Sequence, residues 1–180
     1  MNHRPNTCSC CQNSRCSSRK IPSASAWCNV HNDNCEKQPV FGGITSQLKR
    51  VDETTVFLDD GEPVIFETIL TRITTDVTYS KTTGNFCLHK PGSYLVNWDV
   101  AVEGSLSQPF IRMALIQDEQ VVGASAMPVT VGQISGTSLI AVSEVPVRLM
   151  LVNATGEQIR LSEFSPVGNM TITRISNVCL

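Results

Sequence analysis

An all-β sandwich of roughly ten strands, preceded by a polar cysteine-rich arm, is the fold class this sequence predicts. Three observations carry that reading. From Val40 onward, short runs rich in Val, Ile, Thr and aromatic residues recur about every ten residues, separated by Gly, Pro, Asn and Asp. No window long enough for a helix carries an apolar stripe at helical spacing. Six of the eight cysteines (Cys8, Cys10, Cys11, Cys16, Cys28 and Cys35) fall in the first 40 residues, leaving Cys87 and Cys179 for the rest.

The arm, residues 1–39, comes first. Together with Val40 it holds six Ser and six Asn, and its sizeable apolar side chains are Met1, Ile21, Trp27, Val30 and Val40. So little apolar surface does not offset the entropy of ordering a chain, so no independent core is expected there. Five basic residues against Asp33 and Glu36 give this segment +3, which leaves −5 for residues 41–180. The globular domain is placed at 40–180. Its clearest strand is Ser93 to Val102, where Tyr94, Val96, Trp98, Val100 and Val102 alternate with more polar neighbours at a period of two. Before it come Thr54–Leu58, Pro63–Phe66, Val77–Ser80 and Asn85–His89. After it come Phe110–Gln117, Gln120–Ala126, Ile134–Val142, Pro146–Asn153, Gln158–Leu161 and Asn169–Ser176. Asp60-Gly61, Thr83-Gly84, Pro91-Gly92 and Thr155-Gly156 supply turns between them. Phe110–Gln117 and Pro146–Asn153 are apolar on both faces, which calls for cover by neighbouring loops or by another subunit.

With 180 residues there is room for one domain with a real core. A formal net charge of −2 argues against nucleic acid or an anionic membrane as partner, since both need a concentrated basic field. No apolar run reaches the ~18 residues of a membrane span. The first twenty residues hold no apolar stretch, so no secretory signal peptide is expected. The usual marks of catalysis are missing: there is no nucleophile elbow, zinc-protease helix, phosphate-cradling loop or dinucleotide fingerprint. Of three histidines only His89 lies in the domain, on the outward face with Asn85 and Cys87 if Phe86 and Leu88 point inward, where a solvated strand residue is expected. Asp59, Asp60 and Glu62 form one acidic turn, a weak calcium signal. The sequons at Asn153 and Asn169 read as turn and strand residues. The protein is therefore expected not to be an enzyme and to carry no cofactor.

The arm's spacings, C-x-C-C, C-x4-C and C-x2-H-x3-C through Cys28, His31 and Cys35, match no regular zinc framework, although a zinc-binding arm stays an alternative. Cross-linking is the other reading. Cys10 and Cys11 are adjacent, where a mutual disulfide is strained, so each needs a partner elsewhere. Outward Cys87 and penultimate Cys179 are accessible acceptors. Internal pairing and free thiols are the competing readings.

The stretch Tyr79-Ser80-Lys81-Thr82-Thr83-Gly84-Asn85-Phe86-Cys87-Leu88, followed by Pro91-Gly92-Ser93-Tyr94-Leu95-Val96-Asn97-Trp98, resembles the central motif of the C1q/TNF-like jelly roll. Phe41-Gly42-Gly43-Ile44, Gln133–Ile140, Val147–Asn153 with Gly156, and Asn169–Ser176 are similar to the opening, late and closing strands of its bacterial branch, the C-terminal domain of exosporium collagen-like glycoproteins. The resemblance implies a ten-stranded jelly roll that trimerises through apolar strand faces. It assigns Phe110, Arg112, Ala114, Met150 and Val152 to the subunit interface. The collagen stalk of those proteins has no counterpart, since residues 1–40 contain no Gly. Cys8-Ser9-Cys10-Cys11 instead resembles the N-terminal connector of endospore appendage subunits. Together the two resemblances imply a self-assembling structural protein of the bacterial spore surface, joined by disulfides into a fibre or layer. The alternative is a trimeric receptor- or carbohydrate-binding head anchored to the coat by the arm.

Overall fold

The computed structural model describes residues 42–48, 57–105, 107–129, 131–164 and 166–176. The arm with its six cysteines, Cys179 and most of the expected strand Thr54–Leu58 lie outside these residues. The described residues form twelve strands and no helix. They are β1 (Gly42–Leu48), β2 (Phe57–Leu58), β3 (Thr68–Arg72), β4 (Val77–Ser80), β5 (Asn85–Leu88) and β6 (Gly92–Ser105) in the first half. β7 (Phe110–Gln117), β8 (Gln120–Pro128), β9 (Gly132–Val142), β10 (Val147–Asn153), β11 (Ile159–Leu161) and β12 (Gly168–Ser176) follow.

Two antiparallel sheets face each other. In the first, β6 is central: β9 runs along one side, β12 and then β11 along the other, and β1 and β3 follow beyond β12. The second sheet has the order β4-β5-β10-β7-β8. The period-two alternation decides which side chains meet between them. On β6, Tyr94, Val96, Trp98, Val100 and Val102 are all at most 3% exposed. They pack with Phe86 and Leu88 of β5, Ile111, Met113 and Leu115 of β7, Leu149 and Leu151 of β10, and Met170 and Ile172 of β12. Each such side chain contributes about 1.5–3 kcal/mol on burial, which makes this shared interior the main source of stability. Edge-to-face packing of Phe66 on Phe86, with ring centroids 5.9 Å apart, fills one part of it. Elsewhere buried Arg174 pairs with Asp76 at 3.0 Å.

The β7–β8 hairpin turns on Asp118 and Glu119, both at positive φ (41° and 74°), which is the two-residue turn whose twist matches that of the flanking strands. Asp118 also accepts the Arg148 backbone N–H on Oδ1 at 3.0 Å, fastening the turn to β10.

The structure differs from the expected strands in two places. Pro63–Phe66 makes one bridge, Pro63 to Val152, because Pro63 lacks the N–H a ladder requires. β3 carries little apolar signal: it is an edge strand paired with β1 alone, and much of it faces solvent. Strand boundaries elsewhere fall within a few residues of those expected, and β6 extends to Ser105.

Candidate functional site

Register and alternation build the outer face of the first sheet as successive rungs across four strands. One rung aligns Gln47 of β1, Asn169 of β12, Asp99 of β6 and Ser135 of β9. Gln47 Nε2 donates to Asn169 Oδ1 at 2.9 Å, and Asn169 Nδ2 donates to Asp99 Oδ2 at 3.1 Å. Gln133 Nε2 reaches the same oxygen from β9 at 2.7 Å. The next rung aligns Thr45, Thr171, Asn97 and Thr137. Within it the Thr45 and Thr171 hydroxyls are 3.2 Å apart, and Thr137 Oγ1 donates to Asn97 Oδ1 at 2.8 Å. A third rung changes character, placing Leu95 beside Leu139, and Leu139 is 67% exposed. The polar rungs line a shallow recess of about 450 Å³ whose walls include Asn97, Asp99, Thr137 and Asn169. Side chains that already satisfy one another across a sheet lose little when water leaves, so such a face is suited to being covered.

The outer face of the second sheet is built differently. Of the residues expected at a subunit interface, Phe110 is 41% exposed, Arg112 is exposed and Met150 is half-buried. Ala114 and Val152 are 1% and 6% exposed within the single chain. They stand opposite each other in the β7–β10 register, with Ala124 on the far side of Ala114 and Pro63 bridging to Val152. Both are covered from within in the single chain, while on the same side of β10 Met150 is half-buried and Arg148 exposed.

Cys87 lies on this second face, half-buried, at the centre of a small polar group. His89 follows two residues later on the same side of the chain, with Nδ1 3.9 Å from Cys87 Sγ. Its Nε2 lies 2.8 Å from Thr78 Oγ1. The register sets Thr78 of β4 on one side of Cys87 and Arg148 of β10 on the other. His89 is exposed, as expected of a strand-end residue, but it is held by this hydrogen bond and by its own backbone N–H donating to Asp76 O at 2.8 Å.

The acidic turn is occupied with its own loops. Asp59 Oδ1 accepts from Gln158 Nε2, Asp60 Oδ1 accepts the Gly156 N–H at 2.8 Å, and Glu62 Oε2 accepts the Asp59 N–H at 2.8 Å. Among the described residues no group of three or more His, Cys, Asp or Glu is arranged to hold a metal ion. The sequon residue Asn153 is fully buried and uses both amide hydrogens, on Leu58 O at 2.9 Å and Glu157 O at 2.7 Å, while its Oδ1 accepts the Thr155 N–H. Glu157 clamps the β6–β7 loop. Its carboxylate accepts the Ser107 hydroxyl at 2.6 Å and the Ser107 and Gln108 N–H groups, and these bonds hold its pKa down at about 2.

Neither a protein-family model nor a curated protein matches the chain. Solved structures do match in three dimensions. The Eiger TNF of S. frugiperda superposes with a TM-score of 0.59 over 77% of this chain and 94% of its own, at 12% identity. The globular domain of zebrafish complement 1qA gives 0.54 over 76% and 98%, also at 12% identity. Murine APRIL gives 0.56 over 74% and 98%, at 6% identity. The fold is a TNF/C1q-like jelly roll. In this jelly roll the rungs and the Leu95–Leu139 pair occupy one outer face, and the thiol group occupies the other. The cysteine marked by strand alternation is where it was expected, whereas the rungs had no signal within any one strand.

Proposed function

We propose that the chain is a non-catalytic, self-associating building block of a bacterial spore surface. Residues 40–180 form a trimerising jelly-roll head, and the arm 1–39 ties heads together by disulfides into an appendage fibre or surface layer. The observation that carries this reading is the partition of the cysteines: six crowd the arm, while the jelly roll presents Cys87 half-exposed on an outer face. A cross-linked assembly dissociates very slowly because every link must break covalently, which suits a spore surface that outlasts the cell that made it.

For the non-covalent contact, the reading favours the rung face of the first sheet. Several of its polar side chains pair across strands and its exposed Leu139 offers an apolar centre, whereas Ala114 and Val152 on the second face are covered. Light scattering and negative-stain electron microscopy of the air-oxidised full chain test the proposal. Fibres or layers that fall to discrete trimers on reduction are expected. A monomer in both states overturns it. A discrete trimer in both states removes the cross-linked assembly and leaves the receptor- or carbohydrate-binding head.

A further inference from the structure

We propose that Cys87 is a thiol–disulfide exchange centre in which His89 takes the thiol proton and Thr78 positions His89. This deepens the function proposed above and rests on it for the identity of the physiological disulfide, one carried by the arm of a second copy.

The geometry supplies each part. Strand alternation puts Cys87 outward, half-buried, so its sulfur is reachable while its neighbours stay fixed. His89 Nδ1 lies 3.9 Å from Sγ, a long contact of the kind that tightens when a partner docks. A proton can leave Sγ for Nδ1 only if that nitrogen carries a lone pair, which requires the hydrogen to sit on Nε2. Thr78 Oγ1, 2.8 Å from Nε2, is an acceptor for that hydrogen. The same contact serves the imidazolium, in which both nitrogens donate, so Thr78 supports the ring before and after proton transfer. The His89 backbone bond to Asp76 O fixes the ring's starting point. The charged residues placed around the pair carry both signs. Arg148 stands opposite Cys87 in the β5–β10 register, Lys90 follows His89, and Asp118 is engaged with the Arg148 backbone.

In the exchange, Nδ1 takes the Cys87 proton as Sγ attacks one sulfur of the incoming disulfide. A new S–S bond forms to Cys87, and the old S–S bond breaks with its electron pair on the departing sulfur. That sulfur recovers the proton from the imidazolium. One disulfide is consumed and one is formed, so no further oxidant is needed.

The test uses the full-length, reduced chain and oxidised glutathione as the disulfide, with the rate of glutathione addition read at each cysteine by mass spectrometry at pH 7. In the native chain, Cys87 is expected to react roughly tenfold faster than in His89→Gln, as loss of an adjacent base predicts. Thr78→Val should lose a smaller factor. Added imidazole should restore much of the rate in His89→Gly, a rescue that a purely structural histidine would not give. Equal Cys87 rates in the native chain and His89→Gln, or no rescue by imidazole, overturn the proposal. Assembly is scored separately. Fast His89-dependent exchange in a chain that never forms higher assemblies supports the exchange centre and removes the assembly reading, while slow exchange in a chain that still assembles overturns the exchange centre alone.

Discussion

The two outer faces of the sandwich obey the same alternation and end up with opposite surfaces. On the first sheet, Gln47, Asn169, Asp99 and Gln133 bond to one another from four strands, and Leu95 and Leu139 sit beside them. On the second sheet Ala114 and Val152 are covered by their own neighbours while Phe110 and Val121 stay exposed, and the accessible chemistry is Cys87 with His89, Thr78 and Arg148. The difference shows that apolar character on a strand's outer side does not by itself mark an interface. What matters is whether apolar groups stay exposed beside polar groups that are already paired once the single chain has folded.

The largest effect expected from breaking this contrast is on association. Leu139→Glu should weaken self-association by about 100-fold, the size of an interface hot spot. Because Leu139 is 67% exposed, the same change should leave monomer stability within about 0.5 kcal/mol. Met150→Glu should leave association unchanged. Sedimentation of both variants under reducing conditions decides between the faces, and the reverse pattern would move the contact to the second sheet.

Next in size is Gly136→Ala on β9. A methyl group there would overlap the Trp98 indole, which lies against the glycine, so a loss of about 2 kcal/mol is expected in denaturant unfolding. Asp99→Ala removes the acceptor shared by Gln133 and Asn169 and should cost about 1 kcal/mol. It should also weaken association, because two amide donors would then be desolvated without a partner. An Asp99→Ala chain that associates at full strength would separate the rungs from the contact.

The smallest effect is local and set by pH. Glu157 has its pKa lowered from 4.5 to about 2, so the loop clamp is fully present above the ordinary carboxylate range and is lost as pH falls from about 4.5 through 2. Amide chemical shifts of Ser107 and Gln108 should follow that titration, and Glu157→Gln should abolish it.

Much of the fold was legible in the sequence because it depends on alternation, which each strand carries by itself. Tyr94 to Val102 announced the central strand, and Phe86 and Leu88 inward meant Cys87 outward. What stayed hidden depends on register between distant segments. Gln47 and Asn169 are 122 residues apart, and nothing in either strand says they are neighbours. The same limit applies to Ala114 and Val152. The pattern located their face, but their cover comes from cross-strand neighbours on other strands and from Pro63. Likewise β3 has too few apolar residues to stand out, since an edge strand buries little.

Covalent joining of subunits through cysteine is the core of the proposed function. Air-oxidised full-length protein run on an SDS gel, with and without reductant, tests it most directly. A ladder that collapses on reduction to one band near 19.6 kDa is the predicted result, and a single monomer band in both lanes would contradict it.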